Sequence, residues 1–243
     1  NSLREEILLT IKKNYGFVVL RGLNILKKDQ QIKSFFEFIC QKLGNLIIQD
    51  SGNTVFYPVY NEGLSMSDGG RYSRSSDSGS FHTDNPAEEN VPDLVGLLSI
   101  KEALEGGLSC IVNMFLVIEE LYLNYPHLTD LLRKKYKFNR KNKHNENVKV
   151  NEFPILKLGK EFSFRYLSDY INKENENENK LKILELLDQE LLKQKFRKEF
   201  PLSRGDILFF DNMKLAHGRT SFVESLIKEE RRMMYRVWIS TLK

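Results

Sequence analysis

The unbroken apolar runs of this sequence are short, and that constrains its fold more than anything else. Residues 114–118 form a run of five, and residues 17–20 and 207–210 form runs of four. A membrane-crossing helix needs roughly 20 consecutive apolar residues, so a helical membrane protein is excluded. Runs of this length, bounded by turn residues, suit short buried strands. With 41% apolar and 11% aromatic residues in a chain of 243, there is enough side chain for a substantial core, and bulk disorder is excluded as well.

Helical periodicity is confined to a few places. Leu3, Ile7, Leu8 and Ile11 recur at helical spacing ahead of Gly16 and the buried run 17–20, so the opening reads as helix then strand, not as a secretory signal. Ile32, Phe35, Phe36, Ile39 and Leu43 predict a helix over 29–43. Strands are expected at about 46–49, 54–60, 93–100, 108–113, 207–210 and 233–242. Helices are expected around Val117, Ile118 and Leu121, from Pro126 to about residue 135, and from Leu181 to about residue 200. Many short strands, with helices at the start and in the middle, predict a mainly β domain with flanking helices, an α+β sandwich or barrel. There is no repeat and no linker, so residues 1–243 read as one domain with a helical and basic insert over about 114–200.

Two segments depart from this pattern. Eleven of the twenty residues from 61 to 80 are Gly or Ser. So long a structureless stretch inside a domain is usually functional, and residues 61–81 read as a lid. Residues 133–143 carry seven Lys or Arg with Tyr136 and Phe138 between them. A solvated loop is favoured there over a nucleic-acid patch, since the net charge of the whole chain is only +4. The two cysteines, Cys40 and Cys110, lie in apolar stretches and form neither a disulfide framework nor a zinc cluster. Buried thiols in a reducing, cytoplasmic setting are expected.

The chain has four histidines, His82, His127, His144 and His217. His82 and Asp84 stand two apart, so on a strand end their side chains project to one side. A second histidine from a distant strand would complete two imidazoles and one carboxylate. That set leaves three adjacent coordination positions open, as mononuclear non-haem Fe(II) oxygenases require.

Three blocks carry a resemblance to a known family. They are Phe81-His82-Thr83-Asp84-Asn85-Pro86, then Gly106-Gly107-Leu108-Ser109, then the stretch from Asp211 to Phe222 followed by the stretch from Arg231 to Trp238. In order and spacing they resemble the taurine dioxygenase-like and clavaminate synthase-like Fe(II)/2-oxoglutarate oxygenases. The resemblance implies a double-stranded β-helix, a jelly-roll barrel with the metal at its open end. It implies His82, Asp84 and His217 as iron ligands, and Arg232 with Ser109 on the distal carboxylate of 2-oxoglutarate, where a guanidinium pairs two-pronged. It places Arg236 where several members contact an anionic substrate group, with Asn85 and Arg219 as further substrate-facing candidates. Arg232 and Arg236, read as one strand, would share a face roughly 13 Å apart at about 3.3 Å per residue.

By the same resemblance the chemistry uses Fe(II), 2-oxoglutarate and O2, releases succinate and CO2, and hydroxylates an unactivated C–H of a small anionic molecule such as an amino acid. Asp84 fills the position that halogenases leave vacant, so a hydroxylase and not a halogenase is expected. Two other classes remain to be weighed: a non-catalytic jelly-roll binding module, and an oxygenase acting on a macromolecule through the basic 133–143 segment.

Overall fold

The structure is a computed structural model and describes residues 2–13, 15–61, 81–139, 150–174 and 176–241. Along the chain run α1 (Leu3–Lys13), β1 (Phe17–Leu20), α2 (Asp29–Leu43), β2 (Gly44–Ile47), β3 (Tyr57–Val59), β4 (Leu94–Lys101), β5 (Glu105–Gly106) and β6 (Ser109–Asn113). The insert follows with α3 (Met114–Asn124), α4 (Pro126–Thr129), β7 (Lys135–Asn139), β8 (Val150–Pro154), β9 (Leu156–Lys157), β10 (Ser163–Phe164) and α5 (Glu178–Leu191). Finally come β11 (Arg197–Phe200), β12 (Ile207–Asp211), β13 (Leu215–Arg219), β14 (Phe222–Val223) and β15 (Met233–Thr241).

Two sheets organise the described residues. A six-stranded sheet runs β1-β12-β4-β15-β2, with β3 also on β15, and a three-stranded sheet runs β11-β6-β13. Every pairing in both is antiparallel. Alternation along the strands divides the core. Leu94, Leu98, Ile207, Phe209, Val237 and Ile239 point outwards, onto Ile7 and Ile11 of α1 and Ile32, Phe36 and Ile39 of α2. Val95, Leu208, Phe210, Met234 and Trp238 point the other way and meet Ile111 and Leu215 of the small sheet. The outer side of the small sheet, with Cys110, Val112 and Ala216, is covered by Met114, Val117, Leu184 and Leu187 of the insert. The result is helices, sheet, sheet and insert, so both faces of the large sheet are buried. This explains why β4 reads as an almost continuous apolar run instead of an alternating one.

The helical periodicity at 29–43 corresponds to α2 as expected. Elsewhere the boundaries shift. The strand expected at 46–49 ends at Ile47, and the one at 54–60 shrinks to three residues. The helix expected to reach 135 breaks into α4 and a 3-10 turn, Asp130–Arg133. The helix expected to reach 200 stops at Leu191, and Arg197–Phe200 is an edge strand on β6. The basic stretch is corrected too: its described part is not a solvated loop. Lys135–Asn139 pairs with β8, burying Tyr136 and Phe138 while its lysines face out, an alternation of period two hidden by the charge. Residues 140–149, with His144, and residues 62–80, all but the ends of the lid expected at 61–81, lie outside the described residues.

Gly96 sits mid-strand in β4, facing the helical layer. A Cβ there would lie 2.7 Å from Phe209 Cε1 and 2.8 Å from Val237 Cγ1, below any normal contact. Overpacking of this kind costs about 1–3 kcal/mol. Gly96→Ala is therefore expected to lower the unfolding free energy by that amount, seen as a lower urea midpoint with an unchanged slope when followed by circular dichroism.

Candidate metal centre

His82 and His217 are cross-strand neighbours in a one-residue antiparallel bridge: His82 N donates to His217 O at 3.1 Å and His217 N donates to His82 O at 2.8 Å. Their rings lie 4.3 Å apart between centroids. Alternation puts His217 on the same face of β13 as Leu215, towards the space between the sheets. Asp84 follows after Thr83, and one donor atom from each of His82, Asp84 and His217 falls within 4.8 Å of the others.

The turn that carries Asp84 is held by main-chain contacts to distant elements. Thr83 N donates to Tyr166 O, and Tyr166 N donates to Thr83 Oγ1. The Tyr166 hydroxyl in turn donates to Asp188 of α5. Asn212, fully buried between β12 and β13, accepts from Asp84 N at 2.7 Å and donates to Asp84 O and Pro92 O. Asn85 stands in the left-handed region at φ 55°, which its residue type tolerates, and its amide donates to Asn90 O. Arg165, buried over the ring of Phe153, donates to Pro86 O and Glu88 O of the same loop.

The electrostatics suit a cation. Burial alone would raise the Asp84 carboxyl, but the Arg236 guanidinium, then the imidazoles of His217 and His82, outweigh it and hold it below its usual value. Burial pushes His217 down to about 3; the facing His82 adds to this and Asp84 opposes it. The imidazole is thus neutral and able to donate a lone pair. Asp84 Oδ1 accepts from Arg236 Nη1 at 2.9 Å, whereas Oδ2 is buried without a hydrogen-bond partner, 3.9 Å from His217 Nε2. An orphaned carboxylate oxygen beside a neutral imidazole is costly unless something else satisfies it. This donor set fits a divalent iron with open positions.

The other expected residues gather around the same space. Ser109 is buried on β6 opposite Arg219, and both share the inward face with Ile111 and His217. Arg219 and Arg232 bring their guanidiniums within 4.6 Å and 5.2 Å of the Phe222 ring centre. Gly106 and Gly107, at φ 74° and 67°, make a left-handed turn, and a Cβ on Gly107 would be only 3.4 Å from Arg232 Nε. The glycine block and the arginine block therefore meet. One geometric expectation needs correction: Arg232 precedes β15, and a bulge at Met233/Met234 separates it from Arg236, so simple strand alternation does not relate the two. Asn85 closes its turn on Asn90 O, and Arg236 faces Asp84. His127 is exposed on α4, away from the triad's buried side chains.

Sequence reasoning gave no role to Asn212, Thr83, Tyr166, Arg165 or Gln49. Asn212 alone had a local signal, a polar residue between two apolar strands. The rest act through partners far along the chain.

A family model described as "Taurine catabolism dioxygenase TauD, TfdA family" matches residues 1–238. Human gamma-butyrobetaine dioxygenase is 26% identical over 172 residues, 59% of this chain, and the match spans 40% of that protein's length. Asparagine oxygenase, whose structure holds Fe(II), 2S,3S-3-hydroxyasparagine and succinate, superposes with a TM-score of 0.80 at 17% identity. That superposition covers 98% of this chain and 79% of that one. The non-heme iron oxygenase OrfP, in complex with Fe, succinate and (3S)-hydroxy-L-Arg, gives 0.72 at 13% identity, over 98% and 79% of the two chains. At such identities the superpositions speak for the fold, a mixed helical and antiparallel-sheet architecture shared with iron oxygenases. The family match covers nearly the whole chain, and this protein belongs to the taurine catabolism dioxygenase TauD, TfdA family.

Proposed function

We propose that this protein is an Fe(II)- and 2-oxoglutarate-dependent oxygenase, one double-stranded β-helix domain, that hydroxylates a C–H of a small amino acid or derivative. The observation that carries the reading is the buried His82, Asp84 and His217 cluster, its donor atoms within 4.8 Å, in a chain of this family. When bound, the iron supplies O2 activation coupled to the conversion of 2-oxoglutarate to succinate and CO2. The chain's own residues do the rest. The three ligands leave one side open for cosubstrate and O2. Arg232, 7% exposed and set against Gly107, gives a desolvated guanidinium to the distal carboxylate of 2-oxoglutarate, with Ser109 as a second donor. Asp84 keeps the third ligand position filled, which supports hydroxylation over halogenation.

Substrate class is read from the neighbours and from charge. Two of the superposed structures hold hydroxyasparagine and hydroxyarginine, which supports an amino-acid substrate. Arg236, flanked by Tyr57 and Trp238, donates through Nε and Nη1 to Gln49 and Asp84; its Nη2 has no hydrogen-bond partner among the described residues and suits a substrate carboxylate. Arg219, on the His217 face, is a further substrate-side candidate. No helix among the described residues is long and apolar enough to cross a membrane. The two free, buried thiols support a cytoplasmic setting.

Three outcomes test this. His217→Ala is expected to abolish succinate formation from 2-oxoglutarate while circular dichroism still reports a folded chain; wild-type turnover in that variant contradicts the assignment. Arg232→Ala is expected to weaken 2-oxoglutarate binding about ten- to hundredfold, since a charge-assisted hydrogen bond contributes about 1.5–3 kcal/mol. Titration calorimetry reads this, and an unchanged affinity moves the role elsewhere. Comparing an amino acid with its amide is expected to favour the acid in the wild type and to lose that preference in Arg236→Ala. Equal turnover of both compounds in both proteins removes the anionic-substrate reading and leaves the oxygenase reading intact.

A further inference from the structure

Gln49 connects the turn between β2 and β3 to the metal ligands. Its main-chain N–H donates to Thr54 O, and Asp50 Oδ1 accepts from Gly52 N and Thr54 N, which folds the turn tightly and sets Gln49 against β15. The side chain is 5% exposed. Its Nε2 donates to Val55 O at 2.6 Å and to Arg236 O at 2.9 Å. Both partners are carbonyls, which only accept, so the amide cannot turn over without losing both hydrogen bonds. Its oxygen is therefore committed to the remaining neighbour, Arg236 Nε, at 2.9 Å.

That commitment fixes the plane of the Arg236 guanidinium. With Nε engaged by Gln49, Arg236 reaches Asp84 through Nη1 alone, at Oδ1. A guanidinium free to turn about its own axis would offer two parallel N–H groups to both carboxylate oxygens, the pairing that Arg and carboxylates favour. Such a fork would claim Oδ2, the buried oxygen that has no hydrogen-bond partner and faces His217 Nε2 at 3.9 Å.

We propose that Gln49 is a positioning residue for the metal site: it holds Arg236 to a one-pronged contact with Asp84, so that Oδ1 is tied and Oδ2 is kept for the metal. The proposal rests on the reading of His82, Asp84 and His217 as ligands. Partners that orient a ligand typically account for 10–100-fold in metal affinity. Gln49 also supports its own turn through Val55 O and Thr54 O, but it reaches the metal site only through Arg236, and this separates it from a residue that merely supports the fold. Without Gln49, Arg236 competes with the metal for the carboxylate. Without Arg236 there is no competitor, and Gln49 no longer matters.

Cobalt(II) binding to the full chain, measured by titration calorimetry without 2-oxoglutarate, tests this with Gln49→Met, Arg236→Met and the double variant. Gln49→Met is expected to bind cobalt about tenfold more weakly or worse. Arg236→Met is expected to bind at least as tightly as wild type, and the double variant to match Arg236→Met. An unchanged affinity in Gln49→Met overturns the proposal, and so does an equal loss in the single and double Gln49 variants. Should Gln49→Met fail to fold, Gln49→Asn keeps an amide one methylene too short to hold Val55 O, Arg236 O and Arg236 Nε together, and is expected to bind cobalt several-fold more weakly; an unchanged affinity there overturns the proposal. If the wild-type chain takes up no cobalt, the ligand reading falls and the positioning role falls with it.

Discussion

The pair of hydrogen bonds between the main chains of His82 and His217 is the constraint on which the site depends. It joins two segments 135 residues apart at a single point and sets two imidazoles side by side, 4.3 Å between ring centres. A bridge of one residue has little stability of its own, so the surroundings must hold it. Asn212 grips the main chain of Asp84 from both directions, Tyr166 grips Thr83, and β6 fixes the register of β13. None of these contacts uses the side chain of His82, Asp84 or His217, which leaves those three side chains to face one another.

The order of layers explains why the site can be polar at all. Apolar clusters fill the spaces between helices and large sheet, between the two sheets, and beneath the insert. Among the described residues, charged and polar groups collect around the His82–His217 bridge: Asp84, Arg232, Arg236, Ser109 and His217. Four of them, Asp84, Arg232, Ser109 and His217, are no more than 8% exposed. Burying so many is unfavourable unless they neutralise one another or a ligand. The Arg236–Asp84 contact does part of that, and a cation at the triad would complete it.

Much of this was legible in the sequence, for definite reasons. The stripe from Ile32 to Leu43 declared α2, and the apolar runs at 17–20 and 207–210 declared strands that pair with each other. The candidate ligand residues stood out because His-x-Asp is local and because the three motif blocks lie in a familiar order. Boundaries failed where tertiary pairing overrode local preference. Residues 197–200 continue a leucine-rich helix by composition, yet the open edge of β6 takes them as a strand. Residues 135–139 are disguised by lysines whose stems lie on the outer side of a hairpin. Gln49 and Arg236 lie 187 residues apart and are joined only through the fold, so no local pattern announces them.

The attachment of Thr83 to Tyr166, and of Tyr166 to Asp188, has a thermodynamic consequence. Tyr166 and Asp188 belong to the insert, whose core is separate from the one between the sheets. Proteins open in cooperative units well before they unfold globally. When the insert opens, the Tyr166 partners of Thr83 and the Arg165 contacts to Pro86 and Glu88 go with it, and the turn bearing Asp84 is left with Asn212 and the His82–His217 bridge as its main-chain anchors. With a metal at the triad, occupancy and insert closure would be linked equilibria, and the ion would stabilise helices that it never touches.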